Sequence, residues 1–65
     1  MQGAELRQLR EAWGMTQQQF ARLLGYSAHT ISDIERGKKT VTKMLEKHVL
    51  AVKLLREIQK LAEPP

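Results

Sequence analysis

Ala28, His29, Ser32, Asp33 and Arg36 stand at i, i+1, i+4, i+5 and i+8 in a 65-residue chain, a spacing that lines them along one side of an α-helix. Their chemistry is that of base-edge readout. Short polar side chains on a helix reach into a DNA major groove, where each base pair presents its own pattern of donors, acceptors and methyl groups. The Ala28 methyl suits contact with a thymine methyl. His29 can donate or accept at a base edge. Asp33 is the telling one, because polyphosphate repels a carboxylate unless it accepts a hydrogen bond, as it can from cytosine N4. Ala28, His29, Ser32 and Asp33 are therefore the candidate base contacts. The plainer alternative is a surface histidine and one more solvated acid.

Around that face lie groups suited to phosphate. Ser27 and Thr30 open the same helix, Ser27 as its cap, and either hydroxyl can also touch phosphate. Arg36 ends the outward face, and Lys38, Lys39 and Lys43 follow in the basic connector KKTVTK. Such cations clamp a backbone without reading sequence, although lysines are common on any surface. Gln17 opens the preceding helix, where free N–H groups and its side chain can hold a phosphate.

These residues need two helices to hold them, and the stretch TQQQFARLLGYSAHTISDIERG supplies both. Thr16 and Gln19 have the spacing of a reciprocal capping box, and Met15 and Phe20 that of a hydrophobic staple. Gly25 ends the first helix, Tyr26 alone separates it from the cap Ser27, and Gly37 closes the second. So short a connection forces a steep crossing, a helix-turn-helix. Ala21 is the small residue for the crossing, with Phe20 and Leu24 beside it and Ile31 and Ile34 facing.

A first helix should run from about Ala4 to Trp13, with Leu6, Leu9 and Trp13 as its apolar stripe and Gly14 as its stop. Trp13 reads as a core residue. Arg10 sits at the edge of the stripe and needs a partner; Glu35 is one candidate, and Glu11 or no pair at all is the alternative. A last helix runs from Val41 or Thr42 to about Ala62, with Thr40 and Thr42 both available as caps and Pro64-Pro65 as the stop. Val41, Met44, Leu45, Val49, Val52 and Leu55 gather on one side of it to cover the core. His48, placed on that side too, reads as a satisfied or interface histidine. A second stripe, Leu50, Leu54, Ile58 and Leu61, has nothing left to pack on, and the same helix of a second copy is the economical partner. The expected architecture is all-α: a compact helix-turn-helix bundle of three short helices (4–39) plus a long C-terminal helix (40–63), in one domain over 1–65.

Composition excludes several classes. Without cysteine there is no disulfide, thiolate metal site or nucleophilic thiol, and the two histidines are too far apart in sequence to suggest a metal ligand set. His48 and Glu46 lack a nucleophile or third partner at useful spacing, so no enzyme and no cofactor is expected. A net charge of +4 favours a polyanionic partner, weakly. The longest apolar run, Val49 to Val52, spans no membrane, and MQGAELRQLR lacks the apolar core of a secretory signal. A cytoplasmic location is expected. RNA binding is disfavoured, since Trp13, Phe20 and Tyr26 are needed elsewhere and leave no stacking platform.

With LRQLRE and MTQQQFARLLGYSAHTISDIERGKK in place, the chain resembles the phage repressor and Cro group of helix-turn-helix proteins, to which bacterial Xre-type regulators belong. The resemblance covers Leu6 to about Lys39, with Gln17, Ala21, Gly25, Ile31, Ile34, Glu35 and Gly37 at family positions. It implies a bacterial or phage-encoded transcriptional regulator, most often a repressor, acting as a homodimer on an inverted-repeat operator in double-stranded DNA. It also strengthens the phosphate role for Gln17 and the pairing of Arg10 with Glu35. After Lys39 the chain departs from the better-known members, which have two further short helices. In that respect it looks like minimal phage and mobile-element regulators, including small autorepressors found beside anti-CRISPR genes. The alternative function is an antitoxin or adaptor whose last helix holds a different protein.

Overall fold

Local signals set the helix boundaries. The computed structural model describes residues 1–62 and contains α1 (Gly3–Ala12), α2 (Gln17–Leu24), α3 (Ala28–Glu35) and α4 (Lys43–Ala62). Together they form an all-α bundle of three short helices and one long one. Thr16 Oγ1 accepts the N–H of Gln19 at 3.1 Å while Gln19 Oε1 accepts the N–H of Thr16 at 3.0 Å, so the capping box is complete. Ser27 caps α3 by accepting the N–H of Thr30 at 3.1 Å. Thr42, not Thr40, caps α4, with Oγ1 accepting the N–H of Leu45 at 3.1 Å. The expected stop at Pro64-Pro65, and residue 63 of the expected helix, lie outside the described residues.

Glycine completes the short turns. Gly25 takes φ 79° and Gly37 φ 80°, values that a side-chain-bearing residue reaches only with strain. At the end of α3 the Gly37 N–H bonds to Ile34 O at 3.1 Å and the Lys38 N–H to Asp33 O at 2.8 Å. This paired pattern satisfies carbonyls that would otherwise be orphaned and turns the chain back over the last turn of α3.

The core is Leu6 of α1, Phe20, Ala21 and Leu24 of α2, Ile31 and Ile34 of α3, and Leu45 and Val49 of α4. Fully burying a large apolar side chain contributes roughly 1.5–3 kcal/mol, and Leu6, Phe20, Ile31, Leu45 and Val49 are fully buried. Ala21 lets α2 and α3 approach at their crossing, the most extensive helix–helix contact. Trp13 is half-buried just beyond α1, its ring 5.7 Å from that of Phe20 and tilted by 56°.

Gly3, which begins α1 one residue ahead of the expected start, has a packing role that the sequence did not advertise. A Cβ there would run into the backbone carbonyl of Ile34. α1 therefore lies directly on the end of α3, at a distance only glycine permits.

The last helix departs from expectation. Only Leu45 and Val49 are buried, with Val41 and Val52 half-buried against the core. Met44 and Leu55, expected on the core side, are exposed, and so is His48. At about 100° per residue, Met44, Leu55 and His48 stand roughly a quarter-turn round the helix from the line of Leu45, Val49 and Val52 that faces the bundle. Past Val52, the face continuing toward the bundle carries Arg56, whose guanidinium lies 4.7 Å from the centre of the Trp13 ring. This cation–π contact ties the helix to the end of α1. Beyond it α4 projects from the bundle, giving the molecule a 42 Å long dimension against 22 and 19 Å.

Candidate nucleic-acid interface

α3 is held from beneath by Ile31 and Ile34, which leaves its opposite edge to carry chemistry. His29 and Arg36 are exposed on that edge, and Ser32 is half-buried. Ala28 and Thr30 are also half-buried, with Ala28 packed against the core margin. Ser27 is exposed, and its hydroxyl shares a 2.9 Å hydrogen bond with that of Thr30 besides capping the helix. Lys38, Lys39 and Lys43 are exposed beyond the helix end. Apart from Gln17 on α2, the expected base-contact and phosphate-contact residues thus lie on α3, at its two ends and in the segment up to the start of α4.

Asp33 differs from its expected place on an open face, for it is only 8% exposed. The turn bonded to its backbone carbonyl brings Lys39 over it, with Nζ 4.0 Å from Oδ2. His29, one turn back on α3, places Nε2 3.4 Å from the same oxygen, a contact that becomes an ion pair when the imidazole is protonated. The Asp33 carboxylate is therefore a shared anchor beneath two exposed, cationic or potentially cationic side chains. The 3.6-residue repeat places Asp33 on the outer edge, but only the folded turn reveals what covers it.

A second network fixes the start of α2. Arg10 Nε donates to Glu35 Oε2 at 2.7 Å, and Nη2 donates to Oε1 at 3.0 Å. Its Nη1 donates to the carbonyl of Met15 at 2.8 Å. The two side chains are 13% and 3% exposed, so this bidentate pair is largely out of water. The hydrogen bond to Glu35 raises the Arg10 pKa against the opposing effect of burial, aided by the charges of Glu35 and Glu11. Glu11 lies further off, 3.9 Å from Nη2.

Gln17 joins the same network. Its Nε2 donates to Glu35 Oε1 at 3.2 Å, so the side chain placed at the α2 N-terminus for phosphate is tethered to the end of α3. One amide hydrogen and the backbone N–H of this first helical residue remain for an anion. The sequence pointed to the Arg10–Glu35 pairing but not to the tether, which joins residues eighteen positions apart. No group of three or more acidic or histidine residues is arranged to hold a metal ion among the described residues. No described helix is long and apolar enough to cross a membrane.

The four residues expected at a dimer interface, Leu50, Leu54, Ile58 and Leu61, are all exposed on α4. His48 instead helps to line an open groove with Arg22, Leu23, Gly25, Ala51 and Val52.

No curated protein and no solved structure is significantly similar to the chain. The sequence pattern of the family described as "Helix-turn-helix domain" does match, over residues 3–57. That span takes in all three short helices, the α3 edge and most of α4. The chain therefore belongs to the Xre-type helix-turn-helix domain family of DNA-binding regulatory domains, and not to a family of enzymes.

Proposed function

We propose that the protein is a sequence-specific regulator that binds an inverted-repeat operator in double-stranded DNA as a homodimer and represses its own or a neighbouring operon. The observation that carries this reading is the composition of the α3 edge. Ala28, His29 and Ser32 make the base-reading strip, with Asp33 at its margin holding His29, and cations continue it at Arg36, Lys38, Lys39 and Lys43. Gln17, Ser27 and Thr30 add phosphate contacts at two helix N-termini. In the bound state His29 and Lys39 divide their interactions between Asp33 and DNA, and the carboxylate orients both. The uninterrupted helix that follows the motif fits a phage-type or mobile-element autorepressor, working in the cytoplasm of a bacterial cell.

Leu50, Leu54, Ile58 and Leu61 form the proposed dimer contact, because they are exposed on a helix whose other side is spent on the core. The same exposure favours a second reading, an antitoxin or adaptor whose α4 holds a different protein. Selection of bound sequences from random duplexes tests the first reading. A recovered motif of two inverted half-sites, about one helical turn or a multiple of it apart, is expected, together with a matching repeat upstream of the protein's own gene. Recovery of no preferred sequence, with the purified chain monomeric, would favour the second.

A further inference from the structure

On a helical wheel at about 100° per residue, the exposed apolar residues of α4 fall into a heptad register. Met44, Ala51 and Ile58 occupy one seam position, and Lys47, Leu54 and Leu61 the other. His48, Leu55 and Ala62 flank the first position, and Lys43, Leu50 and Glu57 flank the second. This seam lies opposite Leu45 and Val49, so a partner helix laid on it meets α4 without meeting the bundle. A single cation, Lys47, interrupts the seam. Neither Lys47 nor Glu57 has an opposite charge within 4.0 Å among the described residues.

We infer that two copies of the chain pair through α4 in antiparallel orientation, overlapped along its whole length, with Lys47 of each bonded to the partner's Glu57. This rests on the homodimer reading and adds its geometry. Full overlap sets Met44 opposite the partner's Leu61, Ala51 opposite the partner's Leu54, and Lys47 opposite the partner's Ile58. Each small or flexible residue then faces a large one, and no seam residue is left uncovered.

Charge selects this direction. In the antiparallel pair, Lys47 and the partner's Glu57 lie on the same side of the seam and about one residue, ~1.5 Å, apart along the axis. In a parallel pair Lys47 packs against the partner's Lys47 within a seam layer, and Glu57 is carried two to three turns away. Aligned helix dipoles would also oppose one another in the parallel pair and favour the antiparallel one. The seam is therefore complementary to itself in one direction only, which makes a second copy its occupant.

The native chain lacks cysteine, so a single introduced thiol reports orientation cleanly. Spin labels on Ala62→Cys should lie about 28 Å apart along the axis in the antiparallel dimer, and oxidation should give little cross-linked dimer. Lys47→Glu and Glu57→Lys should each raise the dimer dissociation constant by tenfold or more, and the double exchange should restore most of the native affinity. Ultracentrifugation measures both, with circular dichroism checking that each variant remains helical. A dimer whose Ala62→Cys labels sit close together, or whose charge exchange gives no rescue, overturns this geometry and leaves the homodimer standing. A chain that stays monomeric at high concentration overturns both, while operator binding by that monomer would still stand as a separate result.

Discussion

Glu35 accepts from Arg10 twice and from Gln17 once, so one carboxylate joins α1, the start of α2 and the end of α3. Removing one side of a largely buried ion pair costs roughly 3–5 kcal/mol, because the other charge is left without compensation. Arg10→Met should therefore lower the melting temperature by many degrees. Arg10→Lys should recover only part of it, since an ammonium cannot make the two-pronged contact. Thermal unfolding followed by circular dichroism checks both, and an unchanged melting temperature for Arg10→Met would contradict a structural role for the pair. At the other end of α3, Asp33 and Lys39 should separate specificity from affinity. Asp33→Ala, which releases His29 from its anchor, is expected to relax preference at one base pair per half-site by roughly 1–3 kcal/mol. Lys39→Ala should instead weaken all sequences alike and reduce the slope of log affinity against log salt by about 0.9 for each phosphate no longer neutralised. Binding selections repeated at several salt concentrations distinguish the two, and a changed motif for Lys39→Ala alone would reverse the assignments.

Among the elements, α1 and α3 are set by a contact that helix propensity would misjudge. In an exposed helix interior, replacing glycine with alanine gains about 1 kcal/mol. At Gly3 the added methyl meets the Ile34 carbonyl, which is backbone and cannot swing aside. Gly3→Ala should therefore destabilise the protein by about 1–3 kcal/mol, as overpacking does, and disturb the Arg10–Glu35 geometry one element away. Chemical denaturation gives the sign directly, and a stabilised variant would show that α1 can shift on α3 without penalty. α4 poses the converse case, a helix whose local signals are clear but whose exposed side has no partner within the chain.

For the molecule as a whole, stability and assembly are linked. A chain of this length buries a modest fraction of its surface, and Leu54, Ile58 and Leu61 stay exposed on α4. Association through α4 would add to the folding free energy by mass action. Leu54→Glu combined with Ile58→Glu should yield a monomer with a lower melting temperature and weaker operator binding, while the α3 edge stays intact. Sedimentation and duplex binding on the same preparation test this, and a double variant that remains dimeric would place the interface elsewhere.

The sequence alone determined what depends on neighbours close along the chain. Thr16, Gln19 and Ser27 mark helix starts, and Gly25 and Gly37 mark stops, because capping and left-handed turns are decided within a few residues. The 3.6-residue repeat likewise separated Ile31 and Ile34 from the α3 edge, and the spacing of the motif was enough for a family resemblance. Tertiary structure decided what depends on residues distant in sequence. The approach of α1 to α3 gave Gly3 its role, and the fold of the turn after α3 covered Asp33 with Lys39. Gln17 met Glu35 only once the two helices had crossed. Docking of α4 along the line of Leu45, Val49 and Val52 likewise settled that Leu45 and Val49 are buried while Met44, Leu55 and His48 are not. A periodic pattern can say that a helix has an apolar side, but which line of that side is covered depends on how the helix docks on the rest of the chain.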